Sequence, residues 1–133
     1  MGASFFRPLL RESPAKQVIR NTRNGRVVAY DLVSAFDSSS RRVGLLRHLS
    51  FPQGAAMIIA PSNAVHTFFM RFPIDIAFIT RDGTIVKVCR SVAPWRIAAA
   101  FRAYGVVELP AGTLEACDTN PGDVLAVVPA QQV

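Results

Sequence analysis

The chain has 133 residues, of which 50% are hydrophobic and 18% are charged, and its formal net charge is +6. This length and composition predict one globular domain with a substantial core, and they exclude a disordered chain. No stretch reaches the roughly 18 to 20 apolar residues that a membrane-spanning helix needs. The sequence therefore predicts a soluble protein that is cytoplasmic as written, and an exported form would require a signal peptide that has already been removed.

The first sixteen residues differ in composition from the rest of the chain. They hold three basic residues, and Pro8 and Pro14 oppose a long helix. We therefore predict a basic N-terminal arm over residues 1–16 and a single domain over residues 17–133. The basic residues are not interleaved with aromatic side chains, as a platform for stacked bases would require, so the pattern argues against nucleic acid as a partner.

Short apolar runs separated by turn signals predict about seven strands. Asn24-Gly25 and Asp82-Gly83 are dipeptides typical of hairpin turns, so the strands that flank each of them should be antiparallel neighbours. The predicted strands are Gln17–Asn21, Arg26–Ala35, Ala55–Ala60, Ile74–Ile79, Ile85–Cys89, Val106–Leu109 and Val124–Val128.

Helical patterns are few and short. They cover Arg41–Leu49 and Leu114–Cys117, while Val92–Tyr104 is predicted as a loop with one helical turn. The long crossover helices that a parallel sheet needs are missing. We therefore predict a mainly β fold, either a compact antiparallel β-barrel or a jelly-roll-like sandwich, with one or two short helices.

The stretch from residue 65 to residue 79 places polar side chains within a continuous apolar run. If residues 65–72 are extended, alternation puts His66, Phe68, Met70 and Phe72 on one face of the strand. Pro73 cannot donate to a strand ladder, so the strand should bend there and resume as the fully apolar strand that follows.

Asp75 is the polar residue of that second strand. An unpaired buried charge is costly, so its carboxylate must reach water or a partner, and Arg71 is the nearest cation in the sequence. The pair would either lock the bend at Pro73 or belong to a ligand or catalytic site. His66 would correspondingly donate to a carbonyl or take part in that site.

The two cysteines, Cys89 and Cys117, lack the spacing of a zinc site. A domain of this size needs no disulfide bond, so we predict two small buried hydrophobic residues. No cofactor or metal is predicted.

Several longer segments occur in a recognisable order. They are RRVGLL at residues 41–46, VHTFFMRFPIDIAF at 65–78, PWR at 94–96, VELPAGT at 107–113 and GD at 122–123. In this order they resemble the bacterial and archaeal family called domain of unknown function 192, over roughly residues 17 to 128. The resemblance implies a small, mainly β domain of jelly-roll or barrel character, and it implies no established activity.

The resemblance also marks polar positions. Many similar sequences have a cysteine after the proline that is here Pro61, whereas this chain has Ser62, whose hydroxyl can still donate a hydrogen bond. Glu108 should lie at a strand end in water or pair with a cation such as Arg96. Asp123 should be a turn carboxylate that accepts nearby backbone N–H groups. The polar residues at matched positions are His66, Thr67, Arg71, Asp75, Arg96, Glu108 and Asp123.

Three functions are compatible with these residues. The first is a binding module in which an apolar pocket holds a small anionic or amphipathic ligand. The pocket would be lined by Phe68, Met70, Phe72 and Trp95, with His66, Arg71 and Arg96 near its mouth. The second is a hydrolase-like or metal-dependent enzyme that uses His66 with Asp75 or Glu108. The third is a structural or interaction protein that acts through a sheet edge or the basic arm. The ligand-binding residues that we predict are His66, Thr67, Met70, Arg71, Asp75, Trp95, Arg96 and Glu108, and the sequence defines neither the ligand nor the oligomeric state.

Overall fold

Ten short strands form most of the regular structure in the computed structural model, which describes residues 4–11, 15–37 and 51–133. One α-helix, α1 (Thr113–Ala116), and two 3-10 turns, Arg7–Leu10 and Ala130–Gln132, complete the described elements. The helix predicted over Arg41–Leu49 lies outside the described residues. The strands are β1 (Gln17–Asn21), β2 (Val27–Ala29), β3 (Asp31–Ala35), β4 (Ala55–Ile59), β5 (Ala64–His66), β6 (Ile74–Ile79), β7 (Ile85–Val92), β8 (Ile97–Ala99), β9 (Gly105–Pro110) and β10 (Leu125–Pro129).

The described strands form three sheets. A five-stranded sheet has the order β3-β4-β9-β6-β7, a three-stranded sheet has the order β10-β1-β2, and β5 and β8 form a two-stranded ribbon. All neighbours are antiparallel except β3 and β4, which are parallel. The mainly β prediction is confirmed, and no closed barrel is found among the strands of the described ranges.

Both faces of the five-stranded sheet are buried along its central strands β4, β9 and β6. Successive side chains of a strand point to opposite faces, so each of these strands contributes to two cores. In β4, Ala56 and Ile58 belong to one apolar cluster, the main core, which also contains Ile19 and Leu125 of the three-stranded sheet. Met57 and its neighbours on the opposite face belong to a second core. Every residue of β6 and β9 is buried, as expected for strands that are covered on both sides.

The N-terminal segment packs on this domain. Phe5 and Phe6 are buried in the main core, and the Phe5 N–H donates to the carbonyl of Arg81 at 2.8 Å. The segment predicted as a basic arm therefore contributes two aromatic side chains to the core, while the side chain of Leu10 stays exposed.

Both hairpin predictions are confirmed. β1 and β2 are antiparallel around Asn24-Gly25, and β6 and β7 are antiparallel around Asp82-Gly83. Gly83 has a φ of +93°, and a Cβ at this position would lie 2.2 Å from the carbonyl oxygen of Leu125. Glycine is therefore required there both by the turn and by the close approach of β10.

The strand predicted over Arg26–Ala35 is divided into β2 and β3, which belong to different sheets. Two further segment predictions are wrong. The first predicted one strand over residues 65–72, but β5 ends at His66 and Phe69 has a φ of +67°, so the alternating face of four side chains does not form. The second predicted a loop with one helical turn over Val92–Tyr104, but this segment contains β8, which pairs with β5. In both cases hydrogen bonds between the two segments override the local pattern.

Candidate ligand-binding surface

The ribbon of β5 and β8 covers the second core and presents its other side to solvent. His66 is opposite Ile97 and Val65 is opposite Ala98. Directly opposed residues of an antiparallel pair point to the same face. Val65 and Ala98 pack against the second core, so His66 and Ile97 point outward, and both are exposed.

Four aromatic rings follow one another beside this ribbon. The ring centroids of His66 and Phe68 are 4.8 Å apart and those of Phe68 and Trp95 are 5.7 Å apart, with interplanar angles of 27° in both pairs. The ring of Phe69 meets that of Trp95 at 4.6 Å and 60°. We call His66, Phe68, Phe69 and Trp95, together with Ile97, the aromatic face.

Thr67 is the buried residue that holds the two loops of the aromatic face together. Its Oγ1 donates to the carbonyl of Ala93 at 2.7 Å and accepts from the N–H of Arg96 at 2.9 Å. Its carbonyl accepts from the N–H of Trp95 at 3.0 Å and from the N–H of Met70 at 3.2 Å. Thr67 is buried, and its hydrogen bonds fix the loops that carry the aromatic rings.

Two of the aromatic residues have unusual backbone conformations. Phe69 and Trp95 have φ angles of +67° and +66°, a left-handed region that bulky residues seldom adopt. Such conformations cost on the order of 1–3 kcal/mol and persist only where the surroundings impose them. Here the bonds to Thr67 impose them, and both rings are held largely in solvent.

All charged residues in the segments that build the aromatic face are basic. Arg71 and Arg96 are exposed, and the guanidinium of Arg96 folds over the loop to reach the carbonyls of Pro94 and Trp95 at 3.4 and 3.3 Å. Residues 64–72 and 87–103, which build the face and its flanks, contain no Asp or Glu. Their basic residues are Arg71, Lys87, Arg90, Arg96 and Arg102.

Asp75 does not pair with Arg71, which corrects the sequence prediction. The carboxylate is fully buried, and its two oxygens accept from the N–H groups of Ser91 at 2.8 Å and of Leu114 at 3.0 Å. Ser91 lies where β7 gains a residue against β6, and it has a φ of +49°. Asp75 therefore satisfies a β-bulge and the first turn of α1, which is a structural role.

Glu108 is also buried, so the prediction that it lies in water or pairs with Arg96 is wrong. It lies in the middle of β9, where Met57 and Ile76 are its cross-strand neighbours. No hydrogen-bond or ion-pair partner for its carboxyl group is found within the described ranges. Burial raises the pKa of Glu108 to about 8, so the group is largely protonated at neutral pH.

Of the apolar residues predicted to line one pocket, Phe68 and Trp95 are in contact, whereas Met70 and Phe72 pack with the second core. Met70 is buried in the second core, and Phe72 is half-buried against Phe51, with ring centroids 6.3 Å apart. Two depressions on the described surface lie elsewhere: one of about 320 Å³ near Lys16, and one of about 370 Å³ near Arg26. The aromatic residues that remain accessible form an open surface.

The enzyme alternative needed His66 beside a carboxylate. The Nδ1 of His66 instead accepts from the N–H of Phe68 at 3.2 Å, and the oxygens of Asp75 are bound to backbone N–H groups. No cluster of three or more His, Cys, Asp or Glu side chains that could hold a metal occurs in the part of the chain that the structure describes. Both cysteines are free thiols, Cys117 buried and Cys89 half-buried.

Two smaller predictions are confirmed. Asp123 accepts from the backbone N–H of Asn120 at 2.9 Å, as a turn carboxylate should. Ser62 donates its hydroxyl to the carbonyl of Ala64 at 2.9 Å. Sequence reasoning missed the contributions of Phe69 and Ile97 to the surface, and the signal available was their apolar character next to the arginines at positions 71 and 96.

Across residues 4–11, 15–37 and 51–133, no helix is long and apolar enough to cross a membrane. No curated protein matches the chain.

Two solved structures are similar to this one. A crystal structure from Sinorhizobium meliloti 1021, named a "putative transcription regulator", is 25% identical with a TM-score of 0.75 and covers 88% of this chain and 98% of its own. A protein of unknown function from Novosphingobium aromaticivorans DSM 12444 is 19% identical with a TM-score of 0.71, over 83% of this chain and 82% of its own, which shows the shared fold. Residues 19–127 match the family model of an uncharacterised ACR, the domain of unknown function 192. The chain therefore belongs to that family.

Proposed function

We propose that this protein is a small binding module that holds amphipathic anions on its aromatic face. The observation that carries the proposal is the row of solvent-accessible aromatic rings, fixed by Thr67, in segments whose charged residues are all basic. An apolar chain would lie against Trp95 and Phe69, and an acidic head group would bind Arg71 or Arg96. His66 lies at the border between the two regions. The buried residues Met70 and Glu108 lie on the side of the second core, beneath the ribbon, whereas Asp75 lies on the side of the main core.

The geometry favours an apolar chain over a planar ring as the ligand. Phe68 stacks between His66 and Trp95, and Phe69 meets Trp95 edge-on, so much of the flat area of these rings is already in contact with another ring. A base or a sugar would need a free ring face on which to stack. Ring edges and the side chain of Ile97 remain available, and these are surfaces on which an alkyl chain can pack.

The fold supports the same proposal. The five-stranded and three-stranded sheets share the main core, and we propose that they form a jelly-roll-like sandwich with the ribbon of β5 and β8 as a separate layer on the outer side. The binding surface would then lie on a rigid base, which limits the entropy lost when a ligand binds.

Trp95 gives a direct test, because it is the chain's single tryptophan. Decanoate, decanol and butyrate would be titrated while its emission and the thermal midpoint are followed. Decanoate carries both a chain and a charge, so we expect a blue shift and stabilisation, with a weaker effect of decanol and none of butyrate. A ligand at 100 times its dissociation constant adds about 2.7 kcal/mol, which corresponds to several degrees in a domain of this size.

Charge variants locate the head group. Arg71→Gln or Arg96→Gln should weaken decanoate binding by about tenfold, since a hydrogen bond to a charged group contributes roughly 1.5–3 kcal/mol. Arg11→Gln removes an exposed cation from another part of the surface and is the matched control. Equal responses to decanoate, decanol and butyrate, or equal affinities for all three variants, would refute the proposal.

A further inference from the structure

We infer that the aromatic face and Phe101 together dock on an anionic membrane, so that the amphipathic anions bound there are lipids in a bilayer; this inference rests on the proposed function. Four large apolar side chains of the ribbon and its turns are more than half exposed: Phe69 at 68%, Trp95 at 56%, Ile97 at 71% and Phe101 at 90%. A monomeric protein seldom leaves so many in one region, and such patches mark interaction sites.

The position of Phe101 points to a surface that is larger than one small ligand. Trp95 precedes β8, and its N–H donates to the carbonyl of Thr67. Phe101 follows β8, in the turn at the opposite end of the ribbon. The three residues of β8 alone span about 7 Å. One short amphiphile bound at Arg71 and Arg96 would leave Phe101 in water, but a lipid layer could receive apolar side chains from both ends.

The residue types match a membrane interface. Tryptophan and phenylalanine are favoured at the boundary between head groups and acyl chains, and arginine attracts anionic lipids. Trp95 and Arg96 are adjacent, and Phe101 and Arg102 repeat the pair at the other end of β8. Because no acidic residue occurs in residues 64–72 or 87–103, the whole region is attracted to a negative surface.

The backbone of this region is also suited to partial insertion. A segment that leaves water must satisfy its own N–H and C=O groups. The N–H groups of Trp95 and Arg96 donate to Thr67, that of Ala100 donates to the carbonyl of Asn63 at 2.8 Å, and that of Ala103 donates to Ala100 at 2.9 Å. Internal hydrogen bonds therefore hold the loop that carries Trp95 and both ends of the turn that carries Phe101, which lowers the cost of exposing their apolar tips to lipid.

The test uses the full chain with vesicles of phosphatidylcholine, with and without phosphatidylglycerol. We expect cosedimentation and a blue shift of Trp95 emission only with the anionic vesicles, and loss of both at high salt. Arg71→Gln and Arg96→Gln should each weaken binding by about fivefold. Arg11→Gln should leave binding unchanged.

Phe101→Ser separates this inference from the proposed function. It should weaken vesicle binding and leave decanoate binding unchanged, because Phe101 is remote from Arg96 along the ribbon. Leu10→Ser, which removes an apolar side chain that is 70% exposed in another part of the surface, is the control. The substituted side chains lie in solvent, so folding is expected to be preserved.

Each outcome decides between the two proposals. Decanoate binding without vesicle binding, or vesicle binding that Phe101→Ser does not weaken, overturns the membrane inference and leaves the proposed function standing. Absence of both kinds of binding overturns both. Single-stranded oligothymidylate is the remaining comparison. If it binds more strongly than the vesicles do, and if Arg71→Gln and Arg96→Gln weaken this binding, the membrane inference is overturned in favour of nucleic acid.

Discussion

Glu108 should make the stability of this protein fall as pH rises. Burial raises its pKa to about 8 from an ordinary value of 4.5, so the folded state holds the proton more tightly than the unfolded state. The free energy of unfolding should therefore decline between pH 4.5 and about 8 and level off above that range, with each pKa unit worth about 1.4 kcal/mol. Glu108→Gln, which keeps the neutral shape, should be a few kcal/mol more stable than the native chain at pH 9.

Urea denaturation of both proteins across this pH range measures the effect. Glu115→Gln is the control, since Glu115 is exposed on α1 and its substitution should leave the pH profile unchanged. If the unfolding free energies of the native chain and Glu108→Gln stay parallel from pH 4.5 to 9, the carboxyl group is not the cause.

Asp123 should make the stability of the protein fall as pH decreases in the acid range. Its pKa is lowered to about 2, first by the hydrogen bond from Arg23 and also by bonds from Asn21 and the backbone of Asn120. The folded state thus binds the proton less tightly, and the stabilisation is present above the ordinary value of 3.8 and is lost as pH falls through about 2. Asp123→Asn should cost about 1–3 kcal/mol at neutral pH.

The same variant should come closer to the native chain in stability near pH 2, where about half of the native carboxylate is protonated. Asp31→Asn serves for comparison, because Asp31 forms an exposed ion pair with Lys16 at 3.2 Å that should contribute little. Thermal unfolding monitored by circular dichroism from pH 2 to 7 measures both. A loss for Asp123→Asn that is the same at every pH would contradict the argument.

The loops of the aromatic face depend on Thr67, so Thr67→Val should loosen them while the sheets stay intact. Valine keeps the shape but removes the hydroxyl that bonds Ala93 and Arg96, and the unsatisfied backbone groups should cost about 1–3 kcal/mol. We expect faster hydrogen exchange at the N–H of Arg96 and stronger acrylamide quenching of Trp95. Thr22→Val removes an exposed hydroxyl bond to the carbonyl of Val124 and should change neither measurement.

Strands with local signals could be predicted from the sequence. Asp82-Gly83 is sufficient to place β6 beside β7, because a hairpin turn makes the strands that flank it antiparallel neighbours. β8 could not be predicted in this way. Its alanines give no alternating pattern, and the strand exists because it pairs with β5 about thirty residues earlier.

The candidate site could be predicted only in part, because several of its contacts join segments that are distant in the sequence. The sequence indicates that His66, Trp95 and Arg96 lie near one another, and β5 and β8 bring them together. The partners of Asp75 are backbone N–H groups of Ser91 and Leu114, which a search for charged side chains cannot find. The burial of Glu108 depends on what covers the second face of the sheet, and no pattern within β9 reveals that.

The position of the N-terminal segment affects every test of an interaction through the basic arm, which was one form of the third function. Phe6 packs against Phe5 and Tyr104, with ring centroids 5.0 and 5.2 Å away, and its ring fills the space that a Cβ on Gly105 would occupy. Deleting residues 1–16 would remove part of the main core together with the charges. Loss of binding in such a truncation would therefore not identify the charges as the cause, and Arg7→Gln with Arg11→Gln is the better test.

Phe6→Ala should consequently destabilise the whole domain. Truncating a buried phenylalanine costs about 3–5 kcal/mol, a large share of the roughly 5–15 kcal/mol that holds a domain of this kind together. Leu10→Ala, in the same segment but exposed, should change the unfolding free energy by no more than about 0.5 kcal/mol. The midpoints of urea denaturation for the two variants, compared where the dependence on urea has the same slope, measure the difference in unfolding free energy. Equal midpoints for the two variants would mean that residues 1–16 are an arm after all, whereas the expected gap makes them part of the fold.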